Sequence, residues 1–324
     1  MYFPTHRGVN TYSRALAAFL VPLEGEPLVS HLRIVDKYSV APATTYLGAE
    51  FPKVLAKPEV NYKQANLTDP SIVQSIFNPP EGKGPYDYVF DLTGEVRHDR
   101  TEMILINTTC NVARMLGQEA AKRKVKAYVR VTLPFYETTS KGTHDEKSDP
   151  KPDETIGTWW HETLRMLAAI EECVNPTNTL HVEDLAGAAW ASAMWMASLG
   201  RKEADSLAGE SIIFHNEKSK VSQVEGMPPH DTHSSIFTLL SVGQTHHVGG
   251  WTQMIKNSKP PIPNTPLSAY MDKYALETHI VALSNTEIKE VIGYKLKRPQ
   301  FNHNGIKDIV DEYEWKEEGN WPIL

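Results

Sequence analysis

The segment Leu32-Arg33-Ile34-Val35-Asp36 puts an acid at the end of a short apolar strand, one helix-length after the turn-like Thr5-His6-Arg7-Gly8. In a strand-helix-strand unit an acid there accepts hydrogen bonds from ribose hydroxyls. Glycine in the preceding turn lets the backbone close on a pyrophosphate. Gly8 alone stands where a glycine is expected, with Ser13 near the place of a third. Glu95 and Asp99, with Arg97 and His98, follow the next apolar strand at the edge where open α/β sheets bind ligands; they read as a charged loop. His161 and Arg165 stand four apart on a helix and read as a solvated polar face. His230-Asp231-Thr232-His233 and His246-His247 have no cysteine beside them and no periodicity to orient the rings. They read as solvated loop histidines, and no metal site is expected.

The elements that must position these residues alternate. Residues 11–21 read as a helix and 31–36 as a strand, and Val60-Asn61-Tyr62-Lys63 is a weaker strand. Asp69 is placed to cap a helix whose apolar face is Ile72, Val73, Ile76 and Phe77. The Pro/Gly-rich stretch 79–85 breaks the chain before a strand at Tyr88-Val89-Phe90-Asp91-Leu92. Ile106, Cys110, Ala113, Gly117 and Ala120 recur at helical spacing and predict one packed face over 101–123. A strand at 125–132, a polar loop at 138–154 and helices at 159–172 and 185–199 follow. This alternation predicts right-handed crossovers and a mostly parallel sheet. Residues 217–265 show no long periodic segment, and Ile306, Ile309, Val310 and Tyr313 give a last apolar helix face.

The chain has 324 residues, 40% hydrophobic and 23% charged, enough for a large core. Its net charge of −7 argues against nucleic-acid binding, and its 2 cysteines make no disulfide framework. No apolar run approaches the roughly 18 residues needed to span a bilayer. Residues 15–21 lack the cleavage site of a secretory leader. The expectation is a cytoplasmic protein with a small-molecule substrate, no nucleic-acid or membrane partner, and freedom to form a homo-oligomer.

Several segments in collinear order resemble the extended short-chain dehydrogenase/reductases, in the NAD-dependent epimerase/dehydratase branch. They are Ile34-Val35-Asp36, Ala65-Asn66-Leu67, Phe90-Asp91-Leu92-Thr93-Gly94, Asn107 with Asn111-Val112-Ala113, Val129-Arg130-Val131-Thr132 with Phe135-Tyr136, and His181-Val182-Glu183-Asp184-Leu185-Ala186. The segments at 264–273 and 293–299 resemble the C-terminal part of fungal-type members. The resemblance implies an α/β fold with a doubly wound, mostly parallel Rossmann-like sheet over 1–215 and a small irregular C-terminal lobe over 216–324. It implies an NAD(P)-dependent oxidoreductase or epimerase acting on a small hydroxyl- or carbonyl-bearing metabolite, a sugar nucleotide or a sterol-like alcohol among the candidates. The cofactor residues it implies are Gly8, Asp36, Asn66 and Gly94, with Thr132 and Tyr136 at the catalytic, nicotinamide end. A carboxylate at Asp36 repels a 2′-phosphate and so favours NAD over NADP.

Three departures accompany the resemblance. The helix at 158–167 contains no Tyr-x-x-x-Lys, the pair in which a cation lowers the pKa of a phenol enough for it to act as a base. The opening Met1-Tyr2-Phe3-Pro4 leaves little length for a central first strand, and its loss would leave the neighbouring strands unpaired. Residues 173–181 leave too little chain for a further strand and a substrate loop, so the chain reads as shortened at both places. The alternative is a non-catalytic Rossmann-like scaffold or nucleotide-binding protein.

Overall fold

Strand-forming segments spaced by helices build one six-stranded sheet in the order β3-β2-β1-β4-β5-β6, with each pair of neighbours parallel. The strands are β1 (Tyr2–Thr5), β2 (Leu32–Asp36), β3 (Val60–Gln64), β4 (Tyr88–Asp91), β5 (Ala127–Val131) and β6 (Val174–Thr177). The helices between them are α1 (Thr11–Leu20), α2 (Glu50–Leu55), α3 (Pro70–Ile76), α4 (Glu102–Leu105), α5 (Asn111–Arg123), α6 (Glu154–Ala168) and α7 (Val182–Ser198). A computed structural model describes residues 2–5, 10–44, 47–48, 50–133, 135–137, 150–170, 174–177, 182–198, 249–257 and 286–297. By its contacts the chain divides into two units, Met1–Lys218 with Val281–Gln300, and Ser219–Ile280 with Phe301–Leu324. The sheet belongs to the first; of the second, only the helix at 249–257 is described.

Two expectations from chain length are corrected. β1 is present despite its brevity and pairs with β2 from Tyr2↔Arg33 to Thr5↔Asp36, and with β4 at Tyr2↔Val89. A short strand suffices at the centre because both neighbours supply its partners. β6 is likewise present at Val174–Thr177, bonded to β5 across an irregularity at Val129/Arg130. The segment expected to be too short for both a strand and a substrate loop thus holds a four-residue strand.

Successive side chains of a strand point to opposite faces. Leu32 and Ile34 of β2, Phe90 of β4, and Ala127, Val129 and Val131 of β5 join one apolar cluster with Leu16 and Leu20 of α1 and Ala189 and Ala193 of α7. Val35, Val89 and Tyr128 join a second with Val73, Val112, Leu116 and Leu167. Helices thus cover both faces of the sheet. Asn10 caps α1, its Oδ1 accepting from the Ser13 amide at 2.8 Å, and Asp69 caps α3 through the Ser71 amide at 2.8 Å.

The single helix expected over 101–123 is interrupted. A π turn at Ile106–Cys110 separates α4 from α5, with the Asn111 amide bonding the Ile106 carbonyl five residues back. The extra residue rotates the buried face. Leu105 and Thr109 are buried before and within it, and Val112, Ala113, Leu116 and Ala120 after it, whereas Ile106 and Cys110 are only half-buried. α6 begins at Glu154, five residues before the expected helix. The apolar face around Ile306 and the resemblances at 264–273 lie outside the described residues.

Arg33 stands in the buried strand β2 because it has a task there. Its Nη1 donates to the carbonyls of Ile76 at 2.7 Å and Asn78 at 2.6 Å, closing the C-terminal end of α3, and its Nε donates to Asn61 Oδ1 at 3.2 Å. The Tyr86 ring lies 5.3 Å from its guanidinium and stacks on the His31 ring. Burial, with the positive charges of Arg33 and Lys83, pulls His31 from 6.5 down to about 4. Burial pushes the Tyr86 hydroxyl up to about 12, against the pull of Arg33.

Two outcomes are expected. Arg33→Ala leaves the α3 carbonyls without their donor and lowers stability by about 3 kcal/mol, read as a fall in urea midpoint at unchanged slope. His31 is neutral in the fold at a pH where the unfolded chain protonates it, so its contribution is full above about pH 6.5 and is lost as the pH falls toward about 4. In His31→Asn the urea midpoint loses that part of its decline over this window.

Candidate functional site

The strand order reverses direction between β1 and β4. The chain builds outward from β1 through β2 to β3, and from β4 through β5 to β6. The crevice at the carboxyl ends of the strands at such a reversal is where open α/β sheets take ligands. Asp36 ends β2 there, in register with Thr5 at the end of β1. Its side chain is fully buried, and its Oδ1 accepts the Tyr38 amide at 3.1 Å. Tyr62 fixes the same turn by donating its hydroxyl to the Tyr38 carbonyl at 2.5 Å. Burial and the negative charge of Asp36 push the Tyr62 hydroxyl far above its ordinary range, so it stays a donor. α1 is the next described helix after β1 and has no acidic residue in its first turn, as suits an anion at a helix N-terminus.

The other expected residues are placed less uniformly. Gly8 lies outside the described residues. Asn66 is exposed, and its Oδ1 accepts the Thr68 amide at 3.2 Å and the Thr68 hydroxyl at 2.9 Å, shaping the turn into α3. Thr132 is buried just past β5. Tyr136 is half-buried, bridged to Pro152, with its ring edge-on to His161 at 6.3 Å. The solvated face expected for α6 is therefore corrected in part: Arg165 is exposed and paired with Glu162, while His161 is half-buried against Tyr136. His230, Asp231, His233, His246 and His247 lie outside the described residues, and among the described residues no cluster of ligands suits a metal ion.

What fills the carboxyl ends of β4 and β5 is a group of side chains that sequence reading did not single out. Asp91 and Arg130 are register partners across β4 and β5, both fully buried, and form an ion pair. Asp91 also accepts the Tyr128 hydroxyl at 2.7 Å, the Thr93 amide at 2.9 Å and the Thr93 hydroxyl at 2.7 Å. Arg130 Nη2 donates to the Thr93 carbonyl at 3.1 Å. The Trp160 ring, from α6, covers the guanidinium at 5.1 Å, and its Nε1 donates to the Glu95 carbonyl at 2.8 Å. The available signal was one acid and one base inside two strands otherwise apolar enough to be buried on both faces.

Trp160 also explains Gly94. That residue has φ +143°, which favours glycine, and a Cβ there would lie 2.3 Å from Trp160 Cζ2. The ring therefore rests directly on the Gly94 backbone. Glu95 belongs to the same loop: its amide donates to Thr109 Oγ1 at 3.0 Å, its carboxylate accepts the Val96 and Arg97 amides, and Arg100 pairs with it at 3.4 Å. The charged loop expected after β4 is thus half-buried at Glu95 and exposed at the Arg97–Asp99 pair.

No protein-family model matches the chain, and no curated protein matches it in sequence. Solved structures share its fold. The dTDP-glucose 4,6-dehydratase DesIV of Streptomyces venezuelae, solved with NAD bound, aligns with TM-score 0.60 at 15% identity, over 99% of this chain and 99% of that one. A UDP-galactose 4-epimerase aligns with TM-score 0.56 at 13% identity, over 92% and 94%. The enzyme WbmG of Bordetella bronchiseptica, in complex with NAD, aligns with TM-score 0.54 at 12% identity, over 99% and 96%. At these identities the likeness is one of fold.

Gly94→Ala is expected to cost about 2–3 kcal/mol, from the contact with Trp160 and the positive φ together. Combining it with Trp160→Leu removes the contact but not the backbone strain. A double-mutant cycle by chemical denaturation should therefore show coupling of about 1 kcal/mol or more between the two positions.

Proposed function

We propose that the chain is an NAD-binding protein of the oxidoreductase/epimerase type, holding the adenosine half of the dinucleotide at the carboxyl ends of β1 and β2. The observation that carries this is the buried Asp36 carboxylate at the end of β2, beside β1, at the reversal of a 3-2-1-4-5-6 parallel sheet. In this reading Asp36 accepts the ribose hydroxyls, Gly8 and the N-terminus of α1 serve the pyrophosphate, and Asn66 borders the adenine. The NAD named in the structures of DesIV and WbmG supports that cofactor. Gly94, Thr132 and Tyr136 would then lie toward the nicotinamide, with a small hydroxyl- or carbonyl-bearing metabolite as substrate. The proposal includes a doubly wound nucleotide domain over 1–215, a C-terminal lobe over 216–324 and a cytoplasmic setting.

The residues present fit the first half of such a cofactor and not the second. Around Asp36 a carboxylate and a helix N-terminus suit ribose and phosphate. Past β4, the Gly94 backbone is already covered by Trp160. α6 also lacks the tyrosine and lysine that would handle a proton there. This disagreement favours a second reading, nucleotide binding without turnover.

Titration with NADH, followed by quenching of tryptophan emission, tests the site. Saturable binding, weaker for NADPH and weakened about tenfold or more in Asp36→Ala, is expected, since one ionised hydrogen-bonding group is worth about 1.5–3 kcal/mol. A folded protein that binds NADH equally well with and without Asp36 would refute it.

A further inference from the structure

A dinucleotide in this fold spans two mononucleotide-binding halves, one on β1–β3 and one on β4–β6. The two halves of this sheet are not equivalent. The first ends in a buried carboxylate beside a helix N-terminus without acids. The second ends in a structure of its own. Trp160 is 5% exposed, rests on Gly94, donates to the Glu95 carbonyl at 2.8 Å, covers Arg130 and meets Phe135 edge-on at 5.8 Å. Leu105 and Ile156 are buried with it. A ring or ribose laid on the carboxyl end of β4 would have to displace an indole in van der Waals contact with the backbone. That displacement would give up an indole hydrogen bond and uncover a buried ion pair.

We infer that the site takes an adenosine diphosphate-bearing nucleotide through its first half alone, with Trp160 standing where the second half of a dinucleotide would lie. The inference rests on the nucleotide site proposed above and narrows its ligand. ADP and ADP-ribose carry the groups that Asp36 and the N-terminus of α1 would recognise. The nicotinamide of NAD adds nothing that the second half can receive. Trp160 acts as a specificity residue, denying the far end of a longer ligand any contact by occupying its place.

Calorimetric titration of the full chain with ADP, ADP-ribose and NADH tests this directly. Affinities for ADP-ribose and NADH within about threefold of each other are expected. In Trp160→Ala, or in Trp160→Leu where the alanine variant does not fold, NADH should gain tenfold or more over ADP-ribose while ADP is unchanged. NADH binding the natural chain tenfold or more tightly than ADP-ribose would overturn the inference and leave the Asp36 site standing. Asp36→Ala separates the two claims further, since it should weaken all three ligands alike. Failure of all three to bind the folded chain would overturn the site and the inference together.

Discussion

The buried ion pair between Asp91 and Arg130 is the constraint on which the carboxyl edge of this sheet depends. Neither charge reaches water, so each must be satisfied internally or the edge would not form. Asp91 collects four donors, from Thr93, Tyr128 and Arg130, which fills its acceptor capacity. Removing one partner of such a pair costs about 3–5 kcal/mol, because the other charge is left buried and uncompensated. The pair therefore ties β4 to β5 and fixes the first residues of the loop beyond β4.

Trp160 follows from that pair. A guanidinium held flat by Asp91 and Thr93 offers one face, and an indole covers it. Covering it brings the ring over the backbone at position 94, where only glycine leaves room. The next residue is then gripped on both sides, its amide by Thr109 and its carbonyl by Trp160. A single electrostatic requirement in the sheet thus sets the conformation of the loop that would otherwise face a ligand. By contrast, the edge at β2 is held by the Tyr38 amide donating to Asp36 and by Tyr62 of β3 donating to the Tyr38 carbonyl.

Much of the fold was legible because it follows from periodicity. β2, β3, β4 and β5, the Asp69 cap and the alternation that dictates a parallel sheet can all be read from residue spacing. β1 and β6 were underestimated because a proline interrupts each of them, Pro4 and Pro176, and leaves almost no apolar pattern of its own. Their stability comes from neighbours that the sequence does not display. The π turn was invisible for a related reason: one inserted residue shifts the helical phase, so Ile106 and Cys110 appear to share a face with Ala113 when they do not. Asp36 and Gly94 could be placed at or just past strand ends. What lies against Gly94 could not, since Trp160 comes from a helix 66 positions further on, and nothing in its local sequence says which way the indole points.

The π turn also bears on how positions in this chain are matched to those of other proteins. An α-helix advances about 100° per residue, so one surplus residue turns everything beyond it by roughly that angle. Two proteins with helices of equal length here, one with the surplus turn and one without, would align without a gap and yet present different side chains to the loop after β4. Thr109 reaches the Glu95 amide because it lies within the turn.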